Sequence, residues 1–429
     1  MYGEDAGNVA DGKKIPPEGK PKTKIPPHGG IDAAPHRYEK RKEERTMKKA
    51  KRFLSVLVAS VLFVTAALTL VSCGSDTKLG FKDGTFKIGA TGPLTGDTSA
   101  YGISVRNGAI IAIEEINAAG GIDGILFSFD MKDDMSEAQK AANGYFALYE
   151  DGMQASIGAV TSGACKSFAD VAQADGVFAL TPSASAAEVI AAGDCIFRVC
   201  FGDPQQGTIA AHTLTKTYQK IGVVYDNSDT YSAGIYAAFE EEMQALGKTY
   251  ETTSFEKNSN TNFSAQITKL KSAGCDVIFL PIYYTQAGLI AKEAAKQGYN
   301  VPIFGCDGLD NIESQLDDSV TAEISYCTPF DVRSTDPAVE KFVKAYTDKF
   351  GKAPDQFAAD GYDAVMIIYE AMKAAGVKDV EISAADLSEI LKATLTGGSF
   401  TYSGVTGKNM KWTADGSCEK DPQIVKVER

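Results

Sequence analysis

From Phe86 onward the sequence alternates short apolar runs with longer stretches of helical periodicity. This rhythm limits the possible fold more than any other feature of the chain. Phe86-Lys87-Ile88-Gly89-Ala90 reads as a strand. Over residues 101–117, Val105, Ala109, Ile110, Ala112, Ile113 and Ile116 recur at helical spacing, and Gly120-Gly121 stops the helix. The same pattern predicts strands at 155–160, 177–181, 221–225, 276–280 and 302–305, and helices at 166–174, 233–246, 263–272 and 287–296. Repeated βα units of this length imply parallel strands whose sheets are covered by helices on both faces. They are too many for one ordinary sheet. The predicted fold is therefore α/β, with two doubly wound parallel-sheet lobes. Past residue 330 the rhythm changes to helical stretches at 337–350, 358–375 and 384–393, followed by a turn-rich, β-leaning end at 397–407.

Residues 47–73 read as a lipoprotein signal peptide. Lys48, Lys49, Lys51 and Arg52 form a basic start, an uncharged apolar run covers 53–71, and Leu70-Val71-Ser72 leads into Cys73. The run is near the minimum for a membrane span, about 18 residues. Its basic flank and small-residue exit fit a cleaved signal better than an uncleaved anchor, the competing expectation. Leu-x-Ser-Cys resembles a lipobox, in which the cysteine thiol is acylated and becomes the new N-terminus. Cys73 is thus the expected lipidation site and 73–84 the tether. Residues 1–46, with Pro16-Pro17, Pro26-Pro27 and dense charge, read as disordered, or as sequence ahead of a true start at Met47.

Charge divides along the same line. Residues 1–52 hold 14 Lys+Arg and 8 Asp+Glu, whereas the remainder holds 29 and 48. A strongly acidic body argues against nucleic acid and against an anionic membrane surface as partners. Beyond Cys73 there are seven cysteines: Cys165, Cys195, Cys200, Cys275, Cys306, Cys327 and Cys418. An odd number cannot all pair within one chain. Cys195 and Cys200, five apart on a predicted strand, point to opposite faces and should not bridge. Most are expected to be small buried apolar residues. With no CxxC and only His28, His36 and His212 in the chain, no metal site is expected.

Open parallel sheets bind ligands beyond the carboxyl ends of their strands. The predicted strand exits carry Thr91 to Gly102, Thr161-Ser162-Gly163, Thr181-Pro182-Ser183-Ala184-Ser185, Asp226 to Tyr231, Pro281-Ile282-Tyr283-Tyr284 and Gly305-Cys306-Asp307-Gly308. Hydroxyls and helix N-termini bind a carboxylate. An aspartate with phenol oxygens binds an ammonium, and aromatic faces cover an apolar side chain. Such a set suits a small zwitterion. Each residue also has a bland reading: Ser183 or Ser185 as an N-cap, Tyr231 as packing, Asp307 beside Gly308 as turn chemistry. Their common placement at strand exits favours the joint site.

From about Phe86 to Val427 the chain resembles the branched-chain amino acid binding proteins, the substrate-capturing component of Leu/Ile/Val-type ABC importers. The marks are Gly92-Pro93-Leu94-Thr95-Gly96, Tyr101-Gly102, Glu115 to Ile122 (EINAAGGI), Asp133-Asp134, the 181–185 loop and Gly404-Val405-Thr406-Gly407. The resemblance implies a type I periplasmic binding protein fold. It implies that Ser162, Ser183 and Ser185 hold a ligand carboxylate, that Tyr283 and Asp307 hold its amino group, and that the rings of Tyr101, Tyr231 and Phe357 line the side-chain pocket. It further implies three hinge crossings, near Gly202-Asp203, Pro329-Phe330 and 397–401. One lobe would then comprise 85–203 with 331–396, and the other 204–330 with 397–429. Two departures bear on ligand identity. Leucine-binding members usually place glutamate where Asp307 stands, and one methylene less draws the carboxylate back by roughly 1.5 Å. Gly163-Ala164-Cys165 replaces a hydroxyl-rich run.

Rival classes fit less well. A nicotinamide-dependent oxidoreductase needs G-x-G-x-x-G after the first strand, and Gly89-Ala90-Thr91-Gly92-Pro93 does not supply it. Ser162 lacks the G-x-S-x-G surround of a hydrolase nucleophile, and His212 is the one histidine after the signal segment. The expectation is a non-enzymatic, cofactor-free, monomeric extracytoplasmic binding protein. It would be lipid-anchored to the bacterial cell membrane, with an amino acid ligand and an ABC permease as partners. The alternative is a ligand-sensing ectodomain of the same fold for an amino acid, amide or small carboxylate.

Overall fold

The structure is a computed structural model that describes residues 79–256, 262–420 and 422–428. The expected extension, signal segment and Cys73 lie outside the described residues. Two sheets organise the rest. The first contains β1 (Phe86–Gly92), β2 (Phe127–Asp133), β3 (Ala155–Ser156), β4 (Ala179–Thr181) and β5 (Ile196–Arg198), all parallel, in the order β2-β1-β3-β4-β5. The second contains β6 (Ile221–Asp226), β7 (Glu251–Phe255), β8 (Val277–Leu280), β9 (Ile303–Gly305), β10 (Ile324–Thr328) and β11 (Gln423–Lys426), in the order β11-β10-β9-β8-β6-β7. There β11 alone runs antiparallel. The first order, 2-1-3-4-5, is that of a doubly wound sheet.

Between the strands of the first sheet run α1 (Ser99–Ala118), α2 (Ala138–Glu150), α3 (Ser162–Asp175) and the short α4 (Ala187–Ile190). The second sheet has α5 (Asp203–Thr217), α6 (Thr230–Ala245), α7 (Ser264–Ala273) and α8 (Tyr284–Lys296). Three further helices, α9 (Pro337–Phe350), α10 (Gln356–Ala374) and α11 (Ala384–Thr396), pack against elements of the first lobe. Local sequence explains their ends. In α9 the Asp336 carboxylate accepts the Ala338 N–H at 2.9 Å, Pro337 occupies the first turn, Val339, Phe342 and Tyr346 form the buried face, and Gly351 closes the helix at φ 71°.

Two features of the packing set up the site. A Cβ at Gly108 would lie 1.9 Å from the Ala358 carbonyl oxygen, and one at Gly361 would lie 2.5 Å from that of Val105. Glycine at both places lets α1 and α10 approach closely, which brings Phe357 onto Tyr101. The predicted strand 155–160 is cut to two residues because Gly158 takes φ 64° and turns the chain off the ladder. The chain from Ile157 to Thr161 then serves as the approach to α3.

The chain passes from β5 to α5 through Gly202 and from β10 to α9 through 329–336. The third passage is not at 397–401. The buried carboxylate of Asp363 on α10 accepts the Tyr402 hydroxyl (3.1 Å), the N–H groups of Val405 (3.1 Å) and Thr406 (2.8 Å) and the Thr406 hydroxyl (2.6 Å). Trp412 donates to the Arg198 carbonyl at 2.9 Å, and the Arg198 N–H donates to Gly416. These bonds hold 402–416 to the first lobe, and only β11 joins the second sheet. The expected boundary at 397 is thus too early, because a buried acid draws the segment back to satisfy its lone pairs.

Candidate functional site

The strand exits of the two sheets face one another, and a small cavity lies between them. It is lined by Tyr101, Val160, Thr161, Ser162, Ser183, Tyr231, Tyr283, Asp307, Gly308 and Phe357. The room it leaves is about that of one water molecule. Side chains therefore fill most of the cleft. Of the eight residues expected at the site, seven line this cavity.

On the first lobe, α3 opens at Ser162 with no side chain capping its first turn, and the Thr161 hydroxyl is buried without a hydrogen-bond partner. The exposed N–H groups and dipole of a helix N-terminus favour an anion. Ser162 Oγ accepts the Ala186 N–H at 3.3 Å, and Ser183 Oγ donates to the Val160 carbonyl at 2.8 Å, so both hydroxyls are fixed beside that terminus.

On the second lobe, Asp307 begins a short 3₁₀ turn, Asp307–Leu309. Its Oδ1 accepts the Tyr231 hydroxyl at 2.7 Å, its N–H donates to Gln206 Oε1 at 3.0 Å, and its carbonyl accepts Gln356 Nε2 at 2.5 Å. Burial pushes the Asp307 carboxyl up to about 6, with the bond from Tyr231 and the nearby Gln206 amide opposing that rise. Tyr231 also accepts the Gly308 N–H at 2.8 Å and stacks on Tyr283, ring centroids 4.9 Å apart. Tyr231 is therefore more than a pocket wall, because it holds the carboxylate. The Tyr283 hydroxyl is buried with no partner.

The two sides touch. The Tyr101 hydroxyl donates to the Gly308 carbonyl (2.6 Å) and accepts the Tyr284 N–H (3.1 Å), while its ring stacks on Phe357 at 4.1 Å. Thr285 Oγ1 donates to the Asp97 carbonyl at 2.7 Å.

Ser185 is the expected residue that does not line the cavity. It is fully buried, its carbonyl accepts the Asp203 N–H and Arg198 Nη1, and its hydroxyl lies toward Asp203. Asp203 is the main residue the sequence did not reveal. It is 1% exposed, and neither carboxylate oxygen is in a hydrogen bond of normal geometry. Burial pushes its carboxyl well above the usual carboxylate range, with Ser185 and Arg198 drawing it down and Asp307 adding to the rise. Gln206 and Gln356, which fix the Asp307 backbone, were missed as well. The signal for Asp203 and Gln206 was Gly202-Asp203-Pro204, a helix start at the exit of β5. Among the described residues, no group of three His, Cys, Asp or Glu side chains is placed to hold a metal, and no helix is long and apolar enough to cross a membrane.

Known proteins share this two-sheet architecture. The Leu/Ile/Val-binding protein BraC3 of Rhizobium johnstonii is 30% identical over 347 residues, 80% of this chain and 93% of that protein. The Leu/Ile/Val-binding protein homolog 3 of Brucella melitensis is 30% identical over 320 residues, 74% and 86% of the respective chains. Among solved structures, the branched-chain amino acid transporter substrate-binding protein LivJ of Streptococcus pneumoniae, in complex with isoleucine, superposes with a TM-score of 0.70 at 29% identity, covering 80% of this chain and all of that one. The leucine-binding protein of Thermotoga maritima gives 0.71 at 27% identity, covering 80% and 96%. Residues 85–429, which include both sheets and the cleft between them, match the periplasmic binding protein family, and the chain belongs to that family of extracytoplasmic solute-binding proteins.

Proposed function

We propose that this protein captures a small zwitterion, a branched-chain or related amino acid, and delivers it to an ABC importer of the Leu/Ile/Val type. One observation carries the reading. An uncapped helix N-terminus with Ser162 and Ser183 stands on one side of a single cavity, and Asp307 with Tyr283 stands on the other. The first suits a carboxylate and the second an ammonium. The names of the relatives, Leu/Ile/Val-binding proteins and an isoleucine complex, support the ligand class. The space between the rings is smaller than such a ligand, so binding parts Tyr231, Tyr283 and Phe357 before the lobes close over it.

The test is a calorimetric screen of amino acids beside their deaminated analogues, with small-angle scattering to follow lobe closure. An amino acid should bind and compact the protein. Its analogue lacking the amine should bind more weakly and compact it less. Equal affinity and equal compaction would remove Asp307 and Tyr283 from the recognition.

The proposal extends to the anchor. A monomer tethered through lipid on Cys73 should be released from membranes by Cys73→Ser. Stable anchoring wants more than one chain at about 0.8 kcal/mol per buried CH₂. Retention of the variant after a salt wash would contradict lipid anchoring.

A further inference from the structure

Cys306 and Cys327 lie side by side behind the acid end of the cavity. β9 and β10 are parallel, with Phe304 opposite Ser325 and Gly305 opposite Tyr326. One residue further along, the two chains reach Cys306 and Cys327. Cys306 keeps an extended backbone, φ −109° and ψ −172°, and Cys327 is still within β10, paired on its other side with Ile424. Side chains alternate along a strand, so Cys306 shares a face with Phe304, and Cys327 with Ser325. Those two are register partners, which puts both thiols on one face of the sheet. Both are fully buried in the same apolar cluster, with Phe201, Tyr231 and Phe304. Neighbouring strands run about 4.8 Å apart, inside the roughly 4.4–6.8 Å Cα separation that a disulfide spans. All seven described cysteines are unbonded here.

We infer that Cys306 and Cys327 form a redox pair whose disulfide alters the position of Asp307. Bond formation does not depend on the proposed ligand, whereas its consequence for transport rests on that reading. The oxidant is a small-molecule disulfide. The thiolate of one cysteine attacks a sulfur of that disulfide, forming a mixed disulfide and releasing one thiolate. The second cysteine attacks the protein sulfur of the mixed disulfide, closing the Cys306–Cys327 bond and releasing the other thiolate. Two electrons pass to the oxidant, and the two protons lost by the protein leave with the two released thiols. Outside the cytoplasm such a bond persists once made. Burial pushes the Cys327 thiol up to about 12, and burial and Cys327 together hold Cys306 well above its ordinary value. Both residues are fully buried, so the oxidant reaches a sulfur only during local opening of the sheet, and the exchange is slow at neutral pH and quickens as pH rises. Bridged cysteines usually hold their Cα atoms about 5.5–6 Å apart, wider than the roughly 4.8 Å between paired strands, so closing the bond pushes Cys306 away from β10 and moves the adjoining Asp307 with it. The Asp307 N–H bond to Gln206 and the Gly308 N–H bond to Tyr231 are the contacts this strains.

The folded full-length protein is incubated with oxidised glutathione at mildly alkaline pH, alkylated under denaturing conditions and mapped by peptide mass. The expected product is a linked peptide pair joining Cys306 to Cys327, two hydrogens lighter than the separate peptides. Recovery of both cysteines fully alkylated, or a link to a different cysteine, overturns the pair. Amide exchange over Asp307 and Gly308 should be roughly five- to tenfold faster in the oxidised protein, the scale of one weakened hydrogen bond. It should return with dithiothreitol. Unchanged exchange in a protein shown to carry the bond overturns the coupling, as does the same acceleration in oxidant-treated Cys327→Ala. Leucine affinity, measured on both forms, should be lower when oxidised. If the reduced protein binds no amino acid, the functional reading fails while mapping and exchange still decide the pair.

Discussion

Tyr101, in the first turn of α1, donates its hydroxyl proton to the carbonyl of Gly308 at 2.6 Å, from one lobe to the other. The same oxygen accepts the Tyr284 N–H at 3.1 Å. These two bonds form only when the cleft is closed, so they weight the equilibrium toward closure. Tyr101→Phe keeps the stack on Phe357 and removes both. It should weaken ligand binding by roughly 1–2 kcal/mol, about five- to thirtyfold, since each hydrogen bond is worth about 1 kcal/mol net. Calorimetry on the variant checks this, with a thermal melt to show that the fold is intact. An affinity equal to that of the unaltered protein would mean that closure does not depend on this contact.

The Asp307 carboxyl gives the site a pH dependence with a definite sign. Burial holds it at about 6, and an ammonium ligand needs it ionised. Below about pH 6 the proton competes with the ligand. Affinity for an amino acid should therefore be flat above neutrality and fall with acidification, by up to about tenfold per pH unit. Binding near pH 5 should release a proton, read as a buffer-dependent enthalpy in calorimetry. Asp307→Asn should bind weakly at every pH and lose the dependence. A wild-type affinity that is the same at pH 5 and pH 7.5 would take Asp307 out of contact with the amine.

The parallel βα rhythm and the strand-exit rule were legible because they rest on residue periodicity and general sheet geometry. β1, buried almost throughout, reads as a near-continuous apolar run, as a central parallel strand must. Elements whose burial runs through polar or small residues were not legible. β2 carries Asp130, which bonds the Met131 N–H and pairs with Lys132 at 2.6 Å. The edge strand β7, Glu-Thr-Thr-Ser-Phe, has only one fully buried residue. The inner face of α5 is Gln206, Gly207, Ala210, Ala211 and Leu214, too weak a stripe to mark a helix. Without α5, neither Asp203 nor Gln206 could be placed beside the cleft. The third passage was misplaced because its location depends on Asp363 finding donors far along the chain, which no local pattern records.

A second titration lies at the hinge. Asp310 accepts the Tyr326 hydroxyl at 3.0 Å and the Gln356 N–H at 2.9 Å. Burial, the nearby Asp355 and Glu313 push its carboxyl up to about 8, with the bonds from Gln356 and Tyr326 opposing. Asp355, which accepts the Ser104 hydroxyl at 2.5 Å, is itself raised by burial, with Lys352 drawing it down. An acid whose folded value lies above its unfolded one keeps a proton that the unfolded chain has lost. Its contribution to stability therefore declines from about pH 4 to about pH 8. The protein should melt at a lower temperature at pH 9 than at pH 6, and Asp310→Asn should shrink that difference. Parallel melting curves for variant and wild type would reject the assignment.

Gly308 separates what the site needs from what the fold needs. A Cβ there would lie 2.7 Å from the Tyr231 hydroxyl oxygen and 3.0 Å from the Ile282 carbonyl oxygen. Gly308 has no positive-φ requirement, so the cost of alanine is one of space, not of backbone conformation. The backbone carbonyl cannot yield, and the tyrosine ring can. Gly308→Ala should push Tyr231 off Asp307, unstack it from Tyr283 and leave a buried carboxylate short of a donor. Losing one hydrogen bond to a charged group costs about 1.5–3 kcal/mol, so ligand affinity should fall roughly tenfold to a hundredfold. Stability should change less, because an unbonded Asp307 relaxes by holding its proton. The same loss should appear in Tyr231→Phe, which removes the hydroxyl without the clash. If Gly308→Ala binds normally while Tyr231→Phe does not, the ring has room that the closed cleft does not display, and the contact between Gly308 and Tyr231 is not what positions the acid.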